Sequence, residues 1–314
     1  MDNALIMARR RLLTAEGMLV FAFFALIIFF SFVSPVFFTP ANLSNIGRQT
    51  ALVSIVAVGM TFVIVAGEFD LSVGSTLALS GVVAALAMKG IAPSLVVGAA
   101  AALLTGAGIG FVNGLLATKL RIPSFLITLG SLSITRGIVL LVTDTRPVVI
   151  TNPTYFRVFG EGQLLGVPTP IVWTIVVIAG GIVGLHFSSF GRTVYAAGGN
   201  RVAALYSGIR VDRVKIAALT LVGTLAGLAG LVLSARSHAA RPDVGAGFEL
   251  DAITAVILGG AALSGGRGSI VGAVIGSLII GILNNGLVLI GVDPSLQIVI
   301  KGLIIWLSVS ASRL

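Results

Sequence analysis

The sequence predicts an all-α polytopic membrane protein of about ten transmembrane helices, some of them broken. Three observations carry the prediction: few charges, a high mean hydropathy and a series of long apolar runs. Of the 314 residues, 57% are hydrophobic and 10% are charged, with a mean hydropathy of +1.11. A soluble domain is about 25% charged. So few charges cannot cover a water-facing surface, so most of this surface faces lipid. Glycine, at 40 residues, is costly in soluble helices but lets membrane helices approach closely.

Ten apolar segments follow in order, at about 17–34, 49–66, 70–88, 94–117, 124–143, 170–186, 214–235, 251–263, 269–287 and 295–311. The first follows Arg9, Arg10 and Arg11. It lacks a small-residue cleavage site and is long enough to span, which favours a retained helix over a signal peptide. The segment 251–263 is too short to cross about 30 Å of hydrocarbon as a straight helix. It is expected to be extended by its flanks or broken inside the bundle.

The loops orient these segments. With both termini in the cytoplasm, Lys119, Arg121, Arg192, Arg201, Arg210, Arg213 and Arg267 fall on cytoplasmic connections. Asp144, Glu161, Asp243, Glu249 and Asp293 fall outside, with fewer basic residues. That is the positive-inside bias, and it agrees with an even number of crossings.

The chain reads as one membrane domain, 1–314, with a weak internal repeat. Asn113-Gly114 and Pro123-Ser124 in the first half match Asn285-Gly286 and Pro294-Ser295 in the second, at offsets of 172 and 171 residues. GEFDL at 67–71 loosely parallels GFELD at 247–251. The first repeat covers about 45–145 and the second about 214–311, with the basic loop 187–213 between them. The predicted topology turns the two copies in opposite senses, which makes an inverted repeat with a path at the interface of its halves.

Composition also excludes function classes. The net charge of +9 sits in short loops between apolar runs. It is a topology signal and not a nucleic-acid footprint. With no cysteine there is no disulfide, thiolate nucleophile or cysteine metal site. There is no P-loop motif for ATP hydrolysis. His186 and His238 fall on opposite sides in this topology and form no metal pair. No catalytic set of residues is found.

Several residues are candidates for a solute path. Glu68 and Asp70 sit between apolar runs without a long loop to solvate them. A carboxylate at membrane depth is expensive, so it faces protein or water. Asp70 and Ser72 could instead cap the following helix. Arg136 and Lys301 lie inside apolar segments and are candidates for the same reason. Asn113, Asn284 and Asn285 offer amides suited to a hydroxyl-rich solute, or to bridging helices. The recurring glycines 106, 110, 114 and 268, 272, 276 read as helix-packing seams.

In the loop FGRTVYAAGGNRVAALYSGIRVDRVK (190–215), the stretch 200–206 predicts a short helix capped by Asn200 and ended at Ser207-Gly208. Ala203, Ala204 and Leu205 are expected to present a small apolar face, to a groove on a soluble partner or to the membrane surface.

At these motifs the chain resembles the permease subunits of bacterial sugar ABC importers, the ribose, xylose and arabinose type. GEFDLSVGS at 67–75 is similar to the family pattern G-G-I-D-L-S-V-G-S, with Glu68 and Phe69 in place of Gly-Ile. RIPSFLITLG with Arg136-Gly137, FGRTVYAAGGN with SGI, ELDAITAVILGGAALSGGRGSIVG and NNGL extend the likeness through nearly the whole chain. Branched-chain amino acid permeases carry a permuted variant without the DLSVGS form.

The resemblance implies two permease copies, identical or paralogous, in the bacterial inner membrane. It implies an ATPase subunit that holds ATP and Mg on the cytoplasmic side and a periplasmic sugar-binding protein on the other, with a monosaccharide or polyol as cargo. Gly199, Asn200, Ala203, Ala204, Ser207 and Gly208 then become the ATPase-coupling residues, and Glu249 and Asp251 the binding-protein side. An ion-coupled secondary transporter, using Glu68, Asp70 or Asp251 as its ion site, is the alternative left open by the sequence.

Overall fold

A computed structural model describes residues 15–311. The basic residues 9–11, named above, lie outside the described residues.

The first half contains α1 (Ala15–Val33), α2 (Pro40–Val65), α3 (Val73–Gly90), α4 (Leu95–Leu120) and α5 (Ser124–Thr143). A connection with the two-residue strands β1 (Val148–Val149), β2 (Gln163–Leu164) and β3 (Val167–Pro168) leads to α6 (Thr169–Ile182). Then come α7 (Ser189–Gly199), α8 (Arg201–Tyr206), α9 (Val211–Arg236), β4 (Ala239–Ala240), α10 (Phe248–Leu258), α11 (Ile270–Leu289) and α12 (Pro294–Ala311). Each apolar segment read from the sequence is represented by a helix, and among the described residues 7 helices are long and apolar enough to cross a membrane. Helix α10, with 11 residues, spans roughly 16 Å at 1.5 Å per residue. It is the broken helix that the short segment predicted.

Local chemistry sets the helix ends. Pro40 opens α2, and the Thr39 hydroxyl accepts the Asn42 N–H at 3.3 Å. Ser94, Ser188 and Ser269 cap α4, α7 and α11 in the same way. Helix α4 stops where Arg121 adopts a left-handed φ of 56°, and Pro123 prevents its continuation.

Helices α2 and α9 form the centre. Nearly all of α2 from Thr50 onward is buried, as is the face of α9 that includes Val222, Ala226 and Ala229. These two pack on each other, and each reaches into the opposite half. Helix α9 packs against α3 and α4, and α2 packs against α10 and α11. The contacts are made at glycines. A Cβ on Gly106 or Gly110 would lie 2.1 Å from the Gly223 or Leu219 carbonyl oxygen of α9. The first glycine seam is therefore a backbone-to-backbone contact. In the second seam, Gly272 and Gly276 meet Gly259 and Ala255. Helices α4, α5 and α6 turn residues such as Val96, Leu104, Leu141 and Ile175 outward, the apolar surface that lipid solvates.

Candidate translocation and coupling site

Two interruptions of the chain bear on the site, at 66–72 between α2 and α3 and at 237–247 between α9 and α10. Broken backbone at membrane depth is tolerated only where protein satisfies it or water fills a cavity. Both breaks are held by named side chains.

The first break is held by α5. Ser124 Oγ accepts the Phe69 N–H at 2.9 Å, and Thr128 Oγ1 accepts the Leu71 N–H at 3.0 Å. Further along the same face, Ser131 Oγ donates to Asn113 Oδ1 at 2.5 Å, and Thr135 Oγ1 donates to Ser75 Oγ at 2.5 Å. The spacing 124, 128, 131, 135 puts these four hydroxyls on one side of α5. Asn113 Nδ2 donates to Ser72 Oγ at 3.0 Å. Asp70 Oδ1 accepts the Ser72 N–H at 2.7 Å and the Ser72 hydroxyl at 2.6 Å. Asp70, Ser72 and Asn113 are all buried and belong to this one network.

The capping alternative for Asp70 and Ser72 is corrected by this geometry. Ser72 occupies the position before α3, but its side chain makes no capping bond. Its hydroxyl is already committed to Asp70 and Asn113. Asp70 closes a local turn with Ser72.

Arg136, also on α5, holds the second break. Its Nη1 donates to the Pro242 and Val244 carbonyls at 2.6 and 2.8 Å. The cation's hydrogen bonds thus go to main-chain dipoles. The second break touches the first turn of α3, where Gly245 meets Gly74. A Cβ on Gly74 would lie 2.1 Å from the Gly245 carbonyl oxygen, and one on Gly245, where φ is +81°, would lie 2.3 Å from that of Gly74. Only glycine fits either side.

Three carboxylates border this centre. Glu68 pairs with Lys215 of α9, with side chains 13% and 15% exposed respectively. Asp251 Oδ2 pairs with Lys301 Nζ of α12 at 3.0 Å. Glu249 lies beside Gly74. Glu249 and Asp251 stand in the first turn of α10, toward α3 and α12 respectively.

Asn285 makes the helix-bridging contact that was the alternative to a place on the path. It is buried and exchanges two amide bonds with Asn42, at 2.9 and 3.1 Å, which fasten α11 to α2. Asn284 keeps a buried Oδ1 without a partner among the described residues. Gly199 ends α7 and Asn200 caps α8, its Oδ1 accepting the Ala203 N–H at 3.0 Å. The Ser207 hydroxyl bonds the Ala203 carbonyl, and Gly208 turns the chain with φ +77°. Ala204 is 3% exposed and points inward, whereas Val202, Leu205 and Tyr206 are 61%, 52% and 90% exposed. The outer face of α8 is therefore larger and more aromatic than expected. Its base is fixed: Gly198 abuts the Val65 carbonyl at the end of α2, and that carbonyl accepts the Gly266 N–H at 2.8 Å.

Interlocked apolar helices, two pinned breaks, one of which meets α3 at glycines, and a basic helix pair define a polytopic membrane permease. The chain belongs to the family described as branched-chain amino acid transport system / permease component, whose model matches residues 42–309. It is similar to the ribose import permease protein RbsC of Bacillus subtilis (strain 168), 46% identical over 92% of this chain and 90% of that protein. RbsC of Escherichia coli (strain K12) is 47% identical over 92% and 90%. The L-arabinose ABC transporter permease protein AraH of Azospirillum brasilense is 36% identical over 98% and 91%. No solved structure matches the chain.

Proposed function

We propose that this chain is the membrane-spanning permease subunit of an ATP-driven ABC importer that carries a ribose-type monosaccharide. The observation that carries the reading is the identity of 41–47% to ribose import permeases through more than nine-tenths of this chain. The motifs lie within that span. The relatives are named as permeases, so the transported sugar is cargo, and ATP with its Mg is held by a separate ATPase subunit.

In this reading the 187–213 segment is cytoplasmic, and the exposed Val202, Leu205 and Tyr206 of α8 enter a groove on the ATPase. Motion of α8 reaches the core through the contact of Gly198 with the end of α2. The opposed halves form an inverted repeat, supported by the reciprocal packing of α9 on α3 and α4 and of α2 on α10 and α11. The hydroxyl face of α5, with Asn113 and Arg136, positions the two breaks beside the path. A second permease copy completes the assembly in the inner membrane, with both termini cytoplasmic. ATP binding draws the ATPase pair together and shifts the opening of the bundle from one side to the other.

The test is to reconstitute the chain with the ATPase subunit and the ribose-binding protein of the same importer. Ribose-loaded binding protein should raise ATP hydrolysis above the basal rate. Equal hydrolysis with and without it would contradict the reading.

A further inference from the structure

One side of α9 carries a strip that the rest of the bundle leaves uncovered. Arg213 and Ala217 are exposed on it, and Thr220, Leu221, Thr224 and Leu225 are partly exposed. A furrow runs along each flank of the strip, about 570 Å³ toward α6 and about 580 Å³ toward α4, and Ala217 and Leu221 line both. We propose that the two furrows seat one anionic phospholipid, its acyl chains along the furrows and its phosphate at Arg213, in the leaflet on the α7–α8 side.

Length points to a lipid and not to a helix. From Arg213 to Leu225 the strip rises roughly 18 Å at 1.5 Å per residue. One leaflet is about 15 Å deep, half of the hydrocarbon core. From Ala226 to Val232 every residue of α9 is buried, so the strip ends near the bilayer midplane. A spanning helix of a partner or of a second copy needs a track of full bilayer length.

The walls suit hydrocarbon. The furrow toward α6 is floored by Val58 and Phe62 of α2 and walled by Gly180, Gly181 and Gly184. A Cβ on Gly181 would lie 2.5 Å from Val58 Cγ1, so α6 sits down on α2 there. One on Gly180 would meet no atom within 4 Å and stand in open space. Phe190 of α7 stacks on Phe62, with ring centroids 6.0 Å apart. On the strip itself, the Thr220 and Thr224 hydroxyls donate to the Ile216 and Thr220 carbonyls at 2.8 Å. They are satisfied within their own helix and offer nothing to hold a hydroxyl-rich solute.

Charge points to the headgroup. Arg213 stands in the first turn of α9, at the α8 end of the strip. Its neighbours in the chain have partners: Asp212 meets Arg201 at 3.7 Å, and Lys215 meets Glu68. Arg213 forms no ion pair among the described residues. The α7–α8 side is cytoplasmic in the reading above, and basic pockets between membrane helices on that side take anionic headgroups.

The test is native mass spectrometry of the full chain in detergent, with phosphatidylglycerol or phosphatidylcholine of the same two chains titrated in. The first phosphatidylglycerol should bind about fivefold tighter than phosphatidylcholine, the effect of one cation beside an anionic lipid. Arg213→Gln should remove that preference. Gly180→Leu fills a furrow with a good helix former and should weaken both lipids tenfold or more. Arg267→Gln changes an exposed cation on the α10–α11 turn that lines neither furrow, so both affinities should stay where they were. No preference in the unsubstituted chain overturns the proposal. So does a preference kept by Arg213→Gln, an affinity untouched by Gly180→Leu, or an equal loss in Arg267→Gln. If Gly180→Leu instead turns a dimer into a monomer at unchanged lipid binding, the furrows seat a second copy and the proposal fails.

Discussion

Glu68 and Lys215 form an ion pair that joins the first break to the opening turn of α9, just after the α7–α8 segment. Both side chains are largely buried. Removing one partner leaves an uncompensated charge in a poor solvent, which costs about 3 kcal/mol in buried pairs. Glu68→Gln and Lys215→Met should each lower the thermal unfolding temperature in detergent. The double apolar variant Glu68→Met, Lys215→Met should recover most of the loss, as a double-mutant cycle would read. Additive losses would show that the two charges are independent.

The contact of Gly74 with Gly245 leaves no room for a side chain. Gly74→Val should abolish transport, with the protein still inserted in the membrane because the spanning helices are unchanged. Uptake and a membrane-fraction blot of the same cells separate the two effects. Normal uptake in this variant would show that the second break and α3 move apart freely.

Thr128 is buried and supplies the acceptor for Leu71 N–H at the first break. Thr128→Val keeps the shape and removes that acceptor, leaving a main-chain donor unpaired at a cost of roughly 1–3 kcal/mol. Ser133 is exposed on the same helix and bonds only its own preceding turn. Ser133→Ala should therefore be neutral in the same detergent melt.

On α8 the exposed and buried sides predict opposite outcomes. Tyr206→Glu changes a side chain that is 90% exposed, so folding should be unaffected while co-purification of the ATPase subunit falls at least tenfold. Ala204→Leu places a larger group where 3% of the residue is exposed. It should destabilise the helix pair by about 1–3 kcal/mol through overpacking. Retained ATPase capture by Tyr206→Glu would remove α8 from the interface.

The spans were legible because length and hydropathy alone decide which segments cross a bilayer. The broken α10 was legible for the same reason: 13 apolar residues cannot span. The Asn200 cap followed from local chemistry. The direction in which α8 faces did not, because both phases fit a helix of six residues and only packing on α7 and α9 selects one. Glu68 was visible as an unusual charge, but Lys215 lies 147 residues away, and only tertiary structure joins them. The hydroxyl face of α5 was overlooked. Ser and Thr in membrane helices commonly bond back within their own helix, as Thr118 does. The spacing 124, 128, 131, 135 was the available signal. Asn285 was visible as part of a paired motif, but its partner Asn42 lies 243 residues away and only tertiary structure joins them.

The most direct test of the account is radiolabelled ribose uptake into liposomes holding the permease, its ATPase subunit and internal ATP, with the binding protein outside. The account predicts uptake that requires all three proteins and ATP and that survives collapse of proton and sodium gradients. Ribose uptake by this chain alone, driven by an ion gradient, would contradict it.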